Sequence, residues 1–306
     1  MTGTRPLLVL LCCALTFGVG CFGIGGFIEP QPADAIDAST LDIDYEVPPT
    51  TPLPMEACQR VDIVFAVDDS GSMQEEMDEM RNTIFPAFAD SLRQGIPEFR
   101  VGVIDACPNP ATLHANGDGG FCGFQSGEVW MDSSSTALNE EFACVGDIYS
   151  GDADCSGFND DEQPASSMAA VLENPAGTGE MMRDDALLVL IAVTDEDEKP
   201  TPVRSSMEIY ERLVALKGGD VRQVVFLGIG GAVECEGEYG HAQQATRLKG
   251  ITDIFALAGR GFFWDLCDGG LEEGLFEALS VIEEACEQYP NRERVPASDL
   301  GNAWEE

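Results

Sequence analysis

Three nearly uninterrupted apolar runs constrain this chain of 306 residues more than anything else in it: 63–67 (Ile-Val-Phe-Ala-Val), 186–193 (Ala-Leu-Leu-Val-Leu-Ile-Ala-Val) and 224–229 (Val-Val-Phe-Leu-Gly-Ile). Runs this short and rich in Val, Ile, Leu and Phe, without polar alternation, fit parallel strands covered on both faces. The stretch 99–104 is shorter and alternates more, as a strand nearer an edge would. Helix-period segments lie between the runs. Met73, Met77, Met80, Ile84, Phe88 and Leu92 recur at helical spacing, with Pro86 predicted to kink the helix. Residues 164–172, 207–216 and 271–285 are further helix candidates, and the Met and aromatic stripe reads as core packing. Strand–helix alternation predicts an open, mostly parallel, doubly wound α/β sheet with helices on both faces. Ligands in such sheets sit at the carboxyl ends of the strands.

Two strand ends carry chemistry. The first run leads straight into Asp68-x-Ser70-x-Ser72, and a helix opens after it. One carboxylate and two hydroxyls around one point are hard oxygen donors, suited to Mg²⁺, Mn²⁺ or Ca²⁺. Asp195 follows the second run at its carboxyl end. The plainer alternative is a helix cap, since Ser72-x-x-Glu75 also reads as a capping box and Ser70 or Ser72 could cap the helix. The strand before Asp68 and the placement of Asp195 favour metal. Asp197 and Glu198 read as solvated loop charges, with Asp197 a second candidate acceptor behind the ligands.

The net charge is -39. Phosphate repels a surface of this sign, so nucleic acid is not an expected partner; solubility and cation uptake are favoured. Residues 1–20 read as a signal peptide, with Arg5 its only positive charge and an apolar run too short and Gly-rich to span a membrane well. Gly18-Val19-Gly20-Cys21 is similar to a bacterial lipobox, making Cys21 the expected lipidation site and lipid the expected membrane anchor; ordinary cleavage nearby is the alternative. Residues 21–56, rich in Pro and Asp, read as a tether, 57–289 as the domain and 290–306 as a loose tail. This places the protein outside the cytoplasm, at a bacterial outer membrane or cell surface, or secreted or periplasmic. Of the 11 Cys, setting aside Cys12, Cys13 and Cys21 leaves eight, an even set that suggests disulfides in an exported protein. Local spacing suggests Cys107–Cys122 and Cys144–Cys155, with Cys235–Cys267 across two loops and Cys58–Cys286 joining the domain ends.

The segments 62–73 (Asp-Ile-Val-Phe-Ala-Val-Asp-Asp-Ser-Gly-Ser-Met) and 187–195 (Leu-Leu-Val-Leu-Ile-Ala-Val-Thr-Asp) resemble the von Willebrand factor type A domain, the family that includes integrin inserted domains. The resemblance spans roughly residues 57–289. It implies a metal-ion-dependent adhesion site on top of the sheet, with Asp68, Ser70 and Ser72 in the first loop and Asp195 after the central strand. The family's further loop carries a Thr before a helix; here Glu162 falls near that place, in Gly157-Phe-Asn-Asp-Asp-Glu-Gln-Pro-Ala. Glu162 ligating directly, a shift of preference towards Ca²⁺, or water in its stead all remain open. The implied function is metal-dependent protein binding, with a partner's acidic side chain filling the open coordination place and no small-molecule substrate. An acidic exported scaffold that takes up calcium diffusely is the alternative.

Other signals are weaker. Asp152-x-Asp154-x-Ser156-Gly157 matches the first half of a calcium loop, but Gln163 stands at the twelfth place and the acid comes one early at Glu162. A disulfide-tied acidic surface loop is the plainer reading. Gly18-Val-Gly-Cys-Phe-Gly23 lies in the leader and follows no domain strand. His114 and His241 are far apart and sit among loop-type residues, so no catalytic triad is visible. Phosphatases with an Asp nucleophile need a second acid two residues on, where this chain has Ser70. No enzyme activity is expected.

Overall fold

The computed structural model describes residues 59–68, 70–107, 112–117, 119–146, 162–200, 202–237 and 240–288. The leader with Cys21, the tether, the tail, Cys58, Cys155 and the acidic loop at 147–161 lie outside the described residues.

Strand β1 (Arg60–Val67) opens the fold. A 3-10 turn, Gly71–Met73, leads into α1 (Gln74–Glu79), a π-helical turn at Met80–Ile84, and α2 (Phe85–Gly95). Pro86 has no N–H for the preceding turn. A widened π turn precedes it, with the Phe85 amide bonded back to the Met80 carbonyl, where the sequence suggested a kink. Strand β2 (Glu98–Asp105) follows, then a small hairpin of β3 (Asn116–Gly117) and β4 (Gly120–Phe121), and β5 (Met131–Asp132). Helices α3 (Leu138–Val145), α4 (Pro164–Leu172) and α5 (Pro175–Thr178) precede β6 (Leu187–Val193). The chain continues with α6 (Ser206–Ala215), β7 (Val224–Gly230), a hairpin of β8 (Cys235–Gly237) and β9 (Gly240–Ala242), α7 (Thr246–Ala256), β10 (Gly261–Asp265) and α8 (Leu271–Gln288).

The main sheet runs β10-β7-β6-β1-β2-β5. All its pairings are parallel except that of β5 with β2. The doubly wound sheet expected from the apolar runs is therefore present. Sequential winding goes outward from β1 through β2 on one side, and from β6 through β7 to β10 on the other. The direction reverses between β1 and β6, and their carboxyl ends flank the crevice where such sheets bind ligands.

Each sheet face has its own core. Ile63, Phe65 and Val67 of β1 pack with α1, the π turn, α2, α3 and α8, whereas Val64 and Ala66 pack with α4, α6 and α7. Phe65 stands at the centre of the first core. Its ring makes edge contacts with Phe85, Phe88 and Phe142 at centroid distances of 5.9, 6.0 and 5.2 Å, and Phe85 stacks on Phe142 at 3.5 Å. At the opposite end of β1 from Asp68, the buried Asp62 accepts from the Arg183 amide at 2.6 Å and Nε at 2.8 Å. This closes the lower end of the sheet with a paired charge.

Two local disulfides differ from expectation. Cys122 bonds Cys144, with Cα atoms 5.7 Å apart, so neither the Cys107–Cys122 nor the Cys144–Cys155 pairing forms. Sequence spacing favoured the shorter loops, but the β3–β4 hairpin folds onto α3 and carries Cys122 there. Cys107 instead sits buried at the end of β2, its Sγ 4.0 Å from Glu162 Oε2. Cys235 bonds Cys267 as expected, 32 residues apart, and Cys107 and Cys286 are also disulfide-bonded. Such bonds belong to oxidising compartments, which fits an exported protein. Among the described residues no helix is long and apolar enough to cross a membrane.

Removing the central ring tests the first core. Phe65→Ala is expected to destabilise the fold by about 3–5 kcal/mol, read from urea unfolding.

Candidate metal centre

The parallel ladder sets the geometry at the top of the sheet. Val67 of β1 lies beside Val193 of β6, and the Asp68 amide extends the pairing by donating to the Val193 carbonyl at 3.0 Å. The residues just past each strand end are thereby adjacent. Thr194 Oγ1 donates to Asp68 Oδ2 at 2.7 Å, and the Ser70 amide donates to Oδ1 at 2.8 Å. The fully buried Asp68 carboxylate is thus held on both oxygens. Ser70 Oγ and Ser72 Oγ lie 2.9 Å apart. Ser70 and Met73 occupy the two N-cap positions of this helical run, and neither makes a side-chain cap hydrogen bond. The capping alternative therefore does not describe Ser70.

Asp195 is 4% exposed, and its Oδ1 is buried with no hydrogen-bond partner. Burial raises its carboxyl above the ordinary carboxylate range; the Ser72 hydroxyl opposes that shift and the charge of Glu196 adds to it. Burial also pushes Asp68 up to about 7, against the pull of Thr194 and Ser70, with the charge of Asp195 adding to the rise. Glu76, in the first turn of α1, is 2% exposed with an unpartnered Oε2. It too is pushed up to about 7, first by burial and then by the charges of Asp195, Glu75 and Asp68. Acidic side chains thus converge at the crevice, and their charges raise one another.

Asp68, Ser70, Ser72 and Asp195 are brought together at this crevice. Glu162 is buried, with its carbonyl accepting from the Lys199 amide at 2.8 Å, and the next amide, Gln163, donates to Ala106 at 3.0 Å. The loops after β2 and β6 thus hold the Glu162 backbone. Its carboxylate oxygens do not join those of Asp68 and Asp195 within a mutual 4.8 Å. The one such group among the described residues is Cys235, Asp265 and Cys267. There the two sulfurs are joined to each other, and Asp265 Oδ1 accepts the Cys267 and Ala232 amides.

Asp197 and Glu198 are not solvated charges. Glu198 is fully buried, and its oxygens accept the Ala165 and Ser166 amides at 2.8 and 3.0 Å. Asp197 Oδ1 accepts the Arg247 amide at 2.7 Å and the Leu248 amide at 3.3 Å. Helices α4 and α7 have Gln163 and Ala245 at their N-caps, neither giving a side-chain cap bond. Their free amides take carboxylates from the β6 loop, at the favourable end of each helix dipole. The same loop is tied to β9 and beyond by the Gln243 amide, which donates to the Asp195 carbonyl at 2.7 Å. Gly231 is needed there, because a Cβ would collide with the Gln243 carbonyl.

The donor set is all oxygen: two carboxylates and two hydroxyls, with Asp195 Oδ1 unpartnered. Hard divalent cations take such donors.

No protein-family model and no curated protein matches the chain. Among solved structures, proximal thread matrix protein 1 from the mussel byssus aligns over 74% of this chain and 49% of its own, at 16% identity and a TM-score of 0.44. The present chain thus spans about half the length of that protein. A second structure of it, described as having a zinc-occupied MIDAS motif, aligns over 74% and 48% at 14% identity and a TM-score of 0.41. The human COPII-coat protein Sec24c aligns over 77% and 34% at 10% identity and a TM-score of 0.32. Likeness at this level does not extend to what the proteins bind.

Burial pushes Glu198 from an ordinary 4.5 up to about 7, against the pull of Ser166 and the Ala165 amide. An acid raised on folding supports stability fully below its unfolded value and loses that support as pH rises towards the folded one. In chelator, the protein is expected to lose stability through Glu198 as pH rises from about 4.5 towards about 7. Urea unfolding at both ends of that window should show a smaller drop in Glu198→Gln.

Proposed function

We propose that this chain is a divalent-metal-dependent protein-binding domain of a bacterial envelope protein, anchored through lipid on Cys21 and engaging a partner's carboxylate. The observation that carries the reading is the junction of two strand tips. Thr194 grips Asp68, and beside it the Ser72 hydroxyl meets the Asp195 carboxylate, whose Oδ1 is buried without a partner. Asp68, Ser70, Ser72 and Asp195 are the residues that would hold the ion. Glu162 is held at the neighbouring loop, where water could link it to the same centre. A divalent cation bound there supplies an electrophilic, open coordination place for a hard oxygen donor.

The protein's part is to keep the two carboxylates fixed and buried, with the Ser70 and Ser72 hydroxyls at the open side of the crevice. Asp68 is immobilised by hydrogen bonds on both oxygens, and the Asp195 loop is pinned by the amides capped by Asp197 and Glu198. Two of the four places are filled by neutral hydroxyls, so the cation keeps more attraction for an acidic partner than an all-carboxylate set would leave it. The net charge of -39 gives that requirement force: without the cation, an acidic ligand meets a repelling surface.

Mg²⁺, Mn²⁺ or Ca²⁺ is expected to raise the thermal midpoint, with roughly 2.7 kcal/mol of added stability at a hundredfold excess over Kd. Asp68→Ala and Asp195→Ala should abolish that response. Equal responses in all three proteins would defeat the reading, and calorimetry finding many weak ions in place of a tight one would favour the acidic scaffold. Retention on an immobilised Asp-rich peptide should need the cation and end with chelator; retention indifferent to chelator would defeat the proposed mode of partner binding.

A further inference from the structure

Helix α1 carries four acids, and they are not equivalent. Glu75 and Asp78 are exposed and Glu79 is half-buried, but Glu76 is buried with one oxygen lacking any donor. Arg81, the nearest cation along the helix, is taken by Asp78. A buried carboxylate left this way is costly to the fold. Its position gives the cost a purpose. Glu76 stands four residues after Ser72, one turn along on the same face of the helical run. Side chains on a helix lean towards its N-terminus, so the carboxylate reaches back towards the Ser72 end. Met73, Met77 and Met80 fill the neighbouring core-facing positions, which leaves Glu76 at the border between the core and the crevice. The fields of Asp195 and Asp68 both reach it.

Glu76 does not complete a first set of ligands. Its oxygens, with those of Asp68 and Asp195, are not all within 4.8 Å of one another. Oxygens bound side by side on one Ca²⁺ at about 2.3–2.6 Å lie well inside that spacing, so in this arrangement the three carboxylates are not gathered as neighbouring ligands of one ion. We infer that Glu76 is a positioning residue for the crevice cation: acting through water, its buried carboxylate supplies a third negative charge and raises the affinity set by Asp68 and Asp195. The inference rests on the metal-binding reading above, and it assigns to Glu76 a role that the Asp68-x-Ser70-x-Ser72 pattern does not contain.

The test is calorimetric titration of the whole chain with Mn²⁺ and with Ca²⁺, alongside the thermal midpoint in chelator. Glu76→Gln keeps the shape and removes the charge. It should weaken cation affinity by about tenfold or more, the usual scale for a residue behind the ligands, while the metal-free midpoint stays level or rises. Glu76→Asp keeps the charge and should retain most of the affinity. Glu75→Gln removes the same charge at an exposed place and should shift affinity by less than about twofold. If wild type binds no tight ion, the functional reading and this inference fall together. If wild type binds and Glu76→Gln binds equally well, or Glu75→Gln weakens binding as much, the role of Glu76 alone is overturned. A purely structural Glu76 would move the metal-free midpoint and leave affinity unchanged.

Discussion

The parallel pairing of β1 with β6 governs everything above it. Val67 lies beside Val193, so Asp68 and Thr194 leave the sheet side by side and their side chains meet. A slip of one residue in that ladder would turn every side chain of β1 to the other face. Phe65 would leave the aromatic cluster, and Asp68 would lose Thr194. The apolar contacts that hold the register and the polar contacts that form the crevice are therefore consequences of the same alignment.

The loop after β6 extends this control sideways. Within four residues it offers Asp195 to the crevice, Asp197 to the amides of α7 and Glu198 to those of α4. Neither helix has a side-chain cap of its own at Gln163 or Ala245. Acids that would be mutually repulsive in solution are separated by giving each its own set of donors, and the one with an unpartnered buried oxygen is Asp195. The loop thus works as a rigid bracket.

Much of this was legible in the sequence. The apolar runs at 63–67, 186–193 and 224–229 became the three central strands, because a strand buried on both faces has to be apolar throughout. Helix 164–172 was placed residue for residue, its start marked by Pro164. Strand β10 escaped notice because Gly-Phe-Phe-Trp-Asp is short, starts with Gly and is only half-buried at the sheet edge. Helix α7 did show Leu248, Ile251 and Phe255 at helical spacing, but it lacks a start signal because its cap comes from Asp197. Asp197 and Glu198 looked like solvated loop charges for the same reason: partners supplied by remote helix ends leave no local trace. A hint was available in the poor capping residue before Pro164, which asks for an acceptor from elsewhere. The Cys122–Cys144 bond was hidden by a fold-back that spacing does not encode.

The π turn at Met80–Ile84 gives the long helical run an inserted residue. One residue in an α-helix is about 100° of rotation. The half that bears Glu76 and the half that bears Phe85 and Phe88 are therefore set at an angle that an uninterrupted helix could not reproduce. Excising one residue would restore regular winding, but it would swing one half away from its neighbours, either the acidic half from the crevice or the aromatic half from Phe65. The irregular turn acts as a phase adjuster, letting one stretch of backbone satisfy two surfaces whose spacing does not match the pitch of a helix.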